Sequence, residues 1–276
     1  MSSDPTDYNL TTWKQRNLVR DYGGRSLRPV EVILMLRFGP SFSGRVLEVG
    51  CGAGRVLGYL CELSPEVYGL DISPTMVEHC RRTYPDADVQ LADMRDVSLY
   101  PARPLSLVLL SYNLLDILAP DERRRLLSEI RPRLGPEGLL IFSSHNRDAH
   151  DEMPWIGEHV RKRLPTSRAE ARRRAGRMLD VSPYRLVRTI ASLPTRRRNQ
   201  RRLRPLELHT PEYALINDPL HDYSQLFYYV NRDNQARQLA ETGYELVQCL
   251  DLDGHVVPAG ARSPSPELHY VARPSS

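Results

Sequence analysis

From residue 45 onward, short apolar runs alternate with stretches of helical periodicity. Arg45 to Val49 is a short apolar run closed by glycines, the signature of a buried strand. Val56 to Leu63 then reads as a helix, Val67 to Leu70 as a strand ended by Asp71, and Ser73 to Tyr84 as a helix with Ser73 as N-cap and Pro74 at its first position. Val89 to Ala92 and Leu105 to Leu110 continue as strands. Asp121 to Leu134 is an amphipathic helix stopped by Gly135-Pro136, and Leu139 to Ser143 is a fifth strand. Strands and helices alternating at this spacing predict a doubly wound parallel sheet.

Both ends of this pattern differ from its middle. The first 40 residues read as helical: Tyr8 to Tyr22 carries Trp13, Leu18 and Val19, and Leu27 to Phe38 is apolar on most sides. Between Asp151 and about Pro211 no strand is evident, and this stretch reads as an inserted helical cap. Tyr213 to Asn217 and Tyr223 to Val230 follow as an antiparallel pair around the turn at Asp218 to His221. Asn231 caps a last helix that Gly243 stops. Tyr244 to Leu250 and Leu268 to Arg273 finish as strands, joined by a Pro/Gly/Ser-rich loop too short for a helical crossover, hence a hairpin at the sheet edge. The expected fold is α/β: a doubly wound, mostly parallel seven-stranded sheet with a C-terminal antiparallel hairpin and the inserted cap. The expected division is a core with N-terminal helices over residues 1–148, the cap over 149–212, and the remainder of the core over 213–276.

Composition narrows the class. An apolar share of 41% and a charged share of 26% are ordinary for a chain of 276 residues that buries a sizeable core. Cys51, Cys61, Cys80 and Cys249 form neither a CxxC pair nor a Cys/His metal spacing, which predicts free thiols and no metal. The N-terminus is polar and acidic, unlike a signal peptide, and no apolar run reaches the ~20 residues of a membrane span. A cytoplasmic protein is expected. Two lysines accompany 36 arginines, a bias that fits a GC-rich bacterial genome. Charge is uneven: residues 158–204 hold fifteen arginines and one lysine against three acids, a formal +13. A solvated helical face and a site for an anionic partner both account for it. Tyr184 is the stretch's single Tyr, Phe or Trp, so no base-stacking platform is present.

The sharpest chemical signal follows the first strand. Gly50, Gly52 and Gly54 open a helix, and such a turn lets the backbone approach a nucleotide-type ligand. Alone it fits several cofactors. Glu48 sits two residues earlier, at the strand end, where it can face a cationic ligand. Asp71 ends the next strand, where an acid can accept hydrogen bonds from ribose hydroxyls. Asp93 follows the third strand with Met94 beside it, an acid for an exocyclic amine and an apolar surface for a ring.

With these residues in place the chain resembles the Rossmann-like (class I) S-adenosylmethionine (SAM) dependent methyltransferases. The carriers are VLEVGCGAGRV (46–56), GLDISPTMVEHC (69–80), LADMRDV (91–97), LLSYNLLDIL (109–118) and IRPRLGPEGLLIF (130–142), in order and at family spacing. The resemblance implies SAM as cofactor. Glu48, Gly50, Cys51 and Gly52 would line its methionine end, Asp71 its ribose, Ile72 and Met76 its flank, and Asp93 with Met94 its adenine. Ser111 and Tyr112 would lie under the sulfonium. Tyr8, Trp13 and Tyr22 would form a lid, with packing on the sheet as the plain alternative. The Asn/Asp-Pro-Pro-aromatic run of methyltransferases that act on nucleic-acid amines is absent after the fourth strand, which weighs against nucleic acid as partner and for a small molecule.

In-line methyl transfer benefits from a base when the acceptor must lose a proton. His145, in the polar run Ser143 to Asn146, is the leading candidate, and a hydrogen-bonded structural histidine is its alternative. Tyr112 and Asp222 are further catalytic candidates. Asn146, Asn217, His221, Tyr223 and Tyr229 are candidates for the substrate, although Asn, Asp and Pro also favour turns for their own sake. The function that follows is methyl transfer to an O or N atom of a small molecule, in bacterial specialised metabolism. Two rivals keep the same pocket: ring closure of SAM to azetidine-2-carboxylate with release of methylthioadenosine, and a non-catalytic SAM-binding module.

Overall fold

The computed structural model describes residue 9 and residues 26–152, 194–218 and 223–275. The N-terminal candidates Tyr8, Trp13 and Tyr22, most of the predicted cap, and His221 and Asp222 lie outside the described residues.

Among the described residues ten strands form one sheet. Its parallel centre comprises β1 (Arg45–Val49), β2 (Glu66–Asp71), β3 (Asp88–Leu91), β4 (Leu105–Leu110) and β5 (Leu134–Asn146), in the spatial order β3-β2-β1-β4-β5. The strand order, which grows outward from β1 to β3 on one side and from β4 on the other, makes a topological switch point between β1 and β4, where open α/β sheets bind ligands at the carboxyl ends of their strands. β10 (Glu267–Pro274) runs antiparallel beside β5, and β9 (Tyr244–Leu250) pairs with β10 at the edge, completing seven core strands and the predicted hairpin. The last two residues of β5 also pair with β8 (Phe227–Val230), which carries antiparallel β7 (Tyr213–Ile216). A two-residue β6 (Leu208–His209), too short for a periodicity signal, closes that extension.

Helices cover both faces. α1 (Pro29–Arg37), the one-turn α2 (Gly39–Phe42), α3 (Leu57–Leu63) and α4 (Pro74–Thr83) lie with one face, α5 (Pro120–Ile130) and α8 (Arg232–Glu241) with the other. α6 (Arg147–Glu152) and α7 (residues 194–203) border the undescribed stretch. Side chains alternate across the sheet. Val46, Leu107 and Ile141 join Val30, Leu34, Leu57 and Leu60 in one buried cluster. Leu47, Val108 and Leu140 join Leu126, Leu127, Ile130 and Leu239 in the other. Each such side chain removed from water contributes about 1.5–3 kcal/mol.

The departures from expectation have local causes. Pro132 lacks an N–H and cannot continue an α-helix, so α5 ends at Ile130 and a 3-10 turn, Arg131–Arg133, follows. β5 therefore begins at Leu134 rather than 139, across a register shift in β4 between Leu105 and Leu107. It also runs on to Asn146, because β8 and β10 both pair with its end. Ser73 sits in extended backbone before α4 as predicted, but its side chain makes no cap; Asp71 Oδ1 accepts its N–H at 2.8 Å instead.

Candidate active site

The turn after β1 is held open by three left-handed glycines. A Cβ on Gly54 would lie 2.3 Å from the Tyr84 ring, so only glycine lets α3 start there. A Cβ on Gly52 would meet nothing within 4 Å; the turn faces open space at that residue. Two neighbours fix the turn from below. Gly52 N–H donates to Asp71 Oδ2 at 2.8 Å, and the Cys80 thiol donates to the Gly52 carbonyl at 3.2 Å.

Glu48 is the most exposed to consequence. It is 2% accessible at the end of β1, and its Oε2 has no hydrogen-bond partner. Burial holds its pKa well above the carboxylate range; the Arg55 charge opposes that shift, and Cys80, Glu31 and Asp71 add to it. A buried acid with a vacant oxygen stabilises a cation brought to it. Burial also raises Asp71, against the lowering effect of the Ser73 and Gly52 N–H groups.

The other expected cofactor residues divide. Cys51 is buried under the turn, and Ile72 is half-buried against the core. Met76 and Met94 are buried. Asp93 is engaged by Arg95, whose guanidinium lies 2.8 Å from Oδ2 and also reaches Glu122 at 2.9 Å. An adenine amine would therefore share this carboxylate with Arg95. Tyr112 and Asn113, just past β4, have left-handed backbone at φ 57° and 56°, a strained geometry for side-chain-bearing residues that often marks ligand sites. The Tyr112 ring packs against two guanidinium groups, with Arg28 Cζ at 4.1 Å and Arg55 Cζ at 4.6 Å from its centroid.

Those arginines belong to a polar cover that sequence reasoning missed. Arg55 grips Glu31 of α1 through two bonds of 2.6 Å, and Arg28 pairs with Glu267 of β10. Asn113 Nδ2 donates to the same Glu267 at 3.2 Å, and Asn113 N–H to Ser143 Oγ at 2.8 Å. Beneath it lies a cavity of about 20 Å³, room for roughly one water, lined by Glu31, Ser111, Ser143 and His269 among others. His269 is fully buried with Nδ1 unpartnered, and burial depresses its pKa to about 4. Arg55, Ser111 and Asn113 stand in motifs, but Arg28, Glu31, Glu267 and His269 do not. Each is distant in sequence and is gathered by the sheet.

A second buried cluster surrounds His145. His145 Nδ1 lies 2.7 Å from Asp116 Oδ2, which also accepts the His145 N–H at 2.6 Å. Asp116 Oδ1 receives Arg123 at 2.7 Å and Ser144 Oγ at 2.6 Å. Arg123 further donates to Gln235 and Gln238 at 2.7 and 3.0 Å and lies over the Tyr228 ring. Asp116 and Arg123 are both 0% accessible. One sequence signal was available: Arg123 precedes Leu126, Leu127 and Ile130 at helical spacing, on the buried stripe of α5.

Of the substrate candidates, Tyr229 stacks on His145 at 4.8 Å and bonds Asp218, with its neighbour Tyr228 on the opposite face, as alternation requires. Asn217 braces its own turn, donating to the carbonyls of Tyr223 and Gln225 at 3.0 and 2.8 Å. Tyr223 has φ 57° and lies under Arg196. Asn146 is fully buried; its amide nitrogen donates to the Ser263 and Ser265 carbonyls and its oxygen accepts the Asp148 N–H, so it braces the loop before β10.

Comparison with known proteins agrees with this geometry. Residues 46–138 match the family model described as a methyltransferase domain. A carboxy-S-adenosyl-L-methionine synthase from Chromohalobacter salexigens is 34% identical over 112 residues, 37% of this chain and 40% of that one. The chain thus spans about two fifths of the length of the curated relatives it matches. Among solved structures, the CcbJ methyltransferase from Streptomyces caelestis superposes with a TM-score of 0.58 at 17% identity, over 97% of this chain and 99% of that one. A Burkholderia thailandensis 1,6-didemethyltoxoflavin-N1-methyltransferase, solved with its substrate and S-adenosylhomocysteine, gives a TM-score of 0.58 at 14% identity over 100% and 92%. At such identities the likeness is one of fold. Residues 46–138 are thus similar to a methyltransferase domain, and the chain shares the fold of these solved methyltransferases. Among the described residues no helix is long and apolar enough to cross a membrane.

Proposed function

We propose that the protein binds SAM at the carboxyl ends of β1, β2 and β4 and transfers its methyl group to an O or N atom of a small molecule. The observation that carries this reading is Glu48: a nearly inaccessible carboxylate with a vacant oxygen, beside a glycine turn that is open at Gly52. An ammonium brought to Glu48 would satisfy that oxygen. Asp71 would release one of its two backbone bonds to accept from ribose, and Met76 with Ile72 would flank the nucleoside. SAM supplies an activated methyl on a sulfonium; the protein's part is to position the acceptor and exclude water. Nucleic acid is not the expected acceptor, and the SAM-fold domain of solved relatives acting on small molecules fits that choice.

Calorimetry tests the pocket. Wild type should bind SAM, and Glu48→Gln should weaken binding about tenfold or more, the loss of a hydrogen bond to a charged group. Because burial raises the Glu48 pKa and a bound cation lowers it, binding should release protons over the pH range in which Glu48 titrates, so across a pH series the measured heat should there vary with the ionisation enthalpy of the buffer. That variation should vanish in Glu48→Gln. No SAM binding by wild type, or unaltered affinity and proton release in the variant, would refute the assignment.

One observation favours a second reading, carboxylation of SAM itself: the sequence match to carboxy-S-adenosyl-L-methionine synthases. Mass spectrometry of the cofactor products separates the two. S-adenosylhomocysteine with a methylated acceptor supports methyl transfer; a cofactor heavier by one carboxyl group supports the other.

A further inference from the structure

From the buried cluster at the end of β5 we infer that His145 is the proton acceptor of the methyl-transfer site and that Asp116, held by Arg123, is the residue that positions it. The inference rests on the methyl-transfer reading and deepens it, for it sets the class of acceptor: a hydroxyl, or an ammonium, that must lose a proton to become a nucleophile.

The geometry runs outward from Arg123. Its guanidinium is inaccessible and bonded to Asp116 Oδ1 at 2.7 Å, so Asp116 is paired in its anionic form. With Oδ1 taken by Arg123 and Ser144, Oδ2 faces His145 and lies 2.7 Å from Nδ1. A carboxylate only accepts, so Nδ1 must carry the hydrogen, and Nε2 on the far side of the ring keeps the lone pair. Asp116 also accepts the His145 backbone N–H at 2.6 Å, and the ring stacks on Tyr229 at 4.8 Å, so both the main chain and the plane of the imidazole are fixed. A histidine whose tautomer and orientation are set by a buried carboxylate is the arrangement that general-base catalysis requires.

Position matches the role. Asp116 N–H donates to the carbonyl of Asn113, one turn after the strained pair Tyr112 and Asn113 that follows β4. His145 is the penultimate residue of the neighbouring β5 and pairs in register with Glu267, the residue bonded to Asn113 and Arg28. The charged and titratable groups facing His145 are thus Asp116, Glu267 and Tyr229, with Arg123 behind the first, Arg28 behind the second and Asp218 bonded to the third. In the step, the acceptor O–H or N–H gives its proton to Nε2. The freed pair forms the bond to the methyl carbon, the carbon–sulfur bond breaks with its pair on sulfur, and the imidazolium, offset by Asp116, releases the proton to solvent.

Two measurements test this. The first needs no acceptor: nitrogen-15 NMR of the protein with S-adenosylhomocysteine bound should show His145 protonated at Nδ1 and bare at Nε2, and Asp116→Asn should reverse the tautomer. Protonation at Nε2 in wild type would overturn the proposal. The second follows S-adenosylhomocysteine formation from SAM with a panel of small phenols, alcohols and amines. His145→Gln, which leaves Asp116 and Arg123 paired, should retain SAM affinity, lower kcat about a hundredfold or more with little change in KM, and lose the acid limb of the pH profile. The fall should be smallest for the most acidic phenols, which ionise unaided. Unchanged kcat with SAM bound would sink the dyad while sparing methyl transfer; failure of wild type to bind SAM would sink both.

Discussion

The residues that decide this molecule's behaviour are charges kept away from water. Arg123 and Asp116 are the extreme case, both wholly inaccessible and 2.7 Å apart. Removing two charges from water costs several kcal/mol each, and hydrogen bonds offset that cost: Ser144, His145, Gln235, Gln238 and Tyr228 complete the network. Breaking one side should therefore cost more than the pair contributes. Arg123→Met should lower the unfolding free energy by about 3–5 kcal/mol, since it leaves Asp116 buried without its cation. Guanidinium denaturation reads this directly. The exposed pair Arg82 and Glu78, 4.0 Å apart on α4, is the contrast, and Arg82→Met should change stability by no more than about 0.5 kcal/mol. A similar loss in both variants would show that the Arg123 network is not the buried ion pair described.

At the scale of elements, local rules govern how each segment begins and ends. α8 begins at Arg232 because the Asn231 side chain accepts the Asn234 N–H at 2.9 Å, and it stops at Glu241, just before Gly243, whose φ of 84° suits glycine alone. Asn231→Ala should destabilise the fold by about 1 kcal/mol, with Asn231→Asp nearly neutral; thermal melting of the three proteins is the check, and equal melting temperatures would remove the cap's role. Such signals are why the elements were legible in advance. The glycine turn, Asp71, Asp93 and the strand alternation depend on neighbours in sequence. The network around His145 and the cover around Tyr112 do not. Arg28, Arg55 and Glu267 meet only because β10 inserts beside β5 and α1 folds over β1 and β4. Nothing in the local pattern fixes those distances. The same holds for Asn146: in sequence it belongs to a polar run after a strand, and only the loop before β10 shows where its amide bonds. Arg123 was the exception, a charge on an apolar stripe that could have been questioned from spacing alone.

Across the whole molecule, buried titratable groups make stability depend on pH in opposing directions. His269 lies in the core between β5 and β9, and desolvation depresses its pKa from about 6.5 to about 4, outweighing the attraction of Glu31. In the unfolded chain the same imidazole takes a proton near pH 6.5. Below that, the unfolded state gains a proton that the folded state refuses, so this residue's contribution is full above about 6.5 and is lost as pH falls toward 4. Glu31, lowered by its bonds to Arg55 and Arg28 against the effect of burial, adds to acid lability at still lower pH. Glu48 and Glu267 act in the other sense: burial raises both, so the folded state holds their protons longer, and their effect on stability declines as pH rises through the folded values. The wild-type curve is a sum of these terms, and a difference between variants isolates one of them. His269→Gln keeps a polar side chain beside the cavity and removes the titration. Its denaturation midpoint should change less between pH 7 and pH 4.5 than that of wild type, by an amount corresponding to a few kcal/mol. Parallel loss of stability in the two proteins over that interval would place the acid sensitivity in the carboxylates and not in His269.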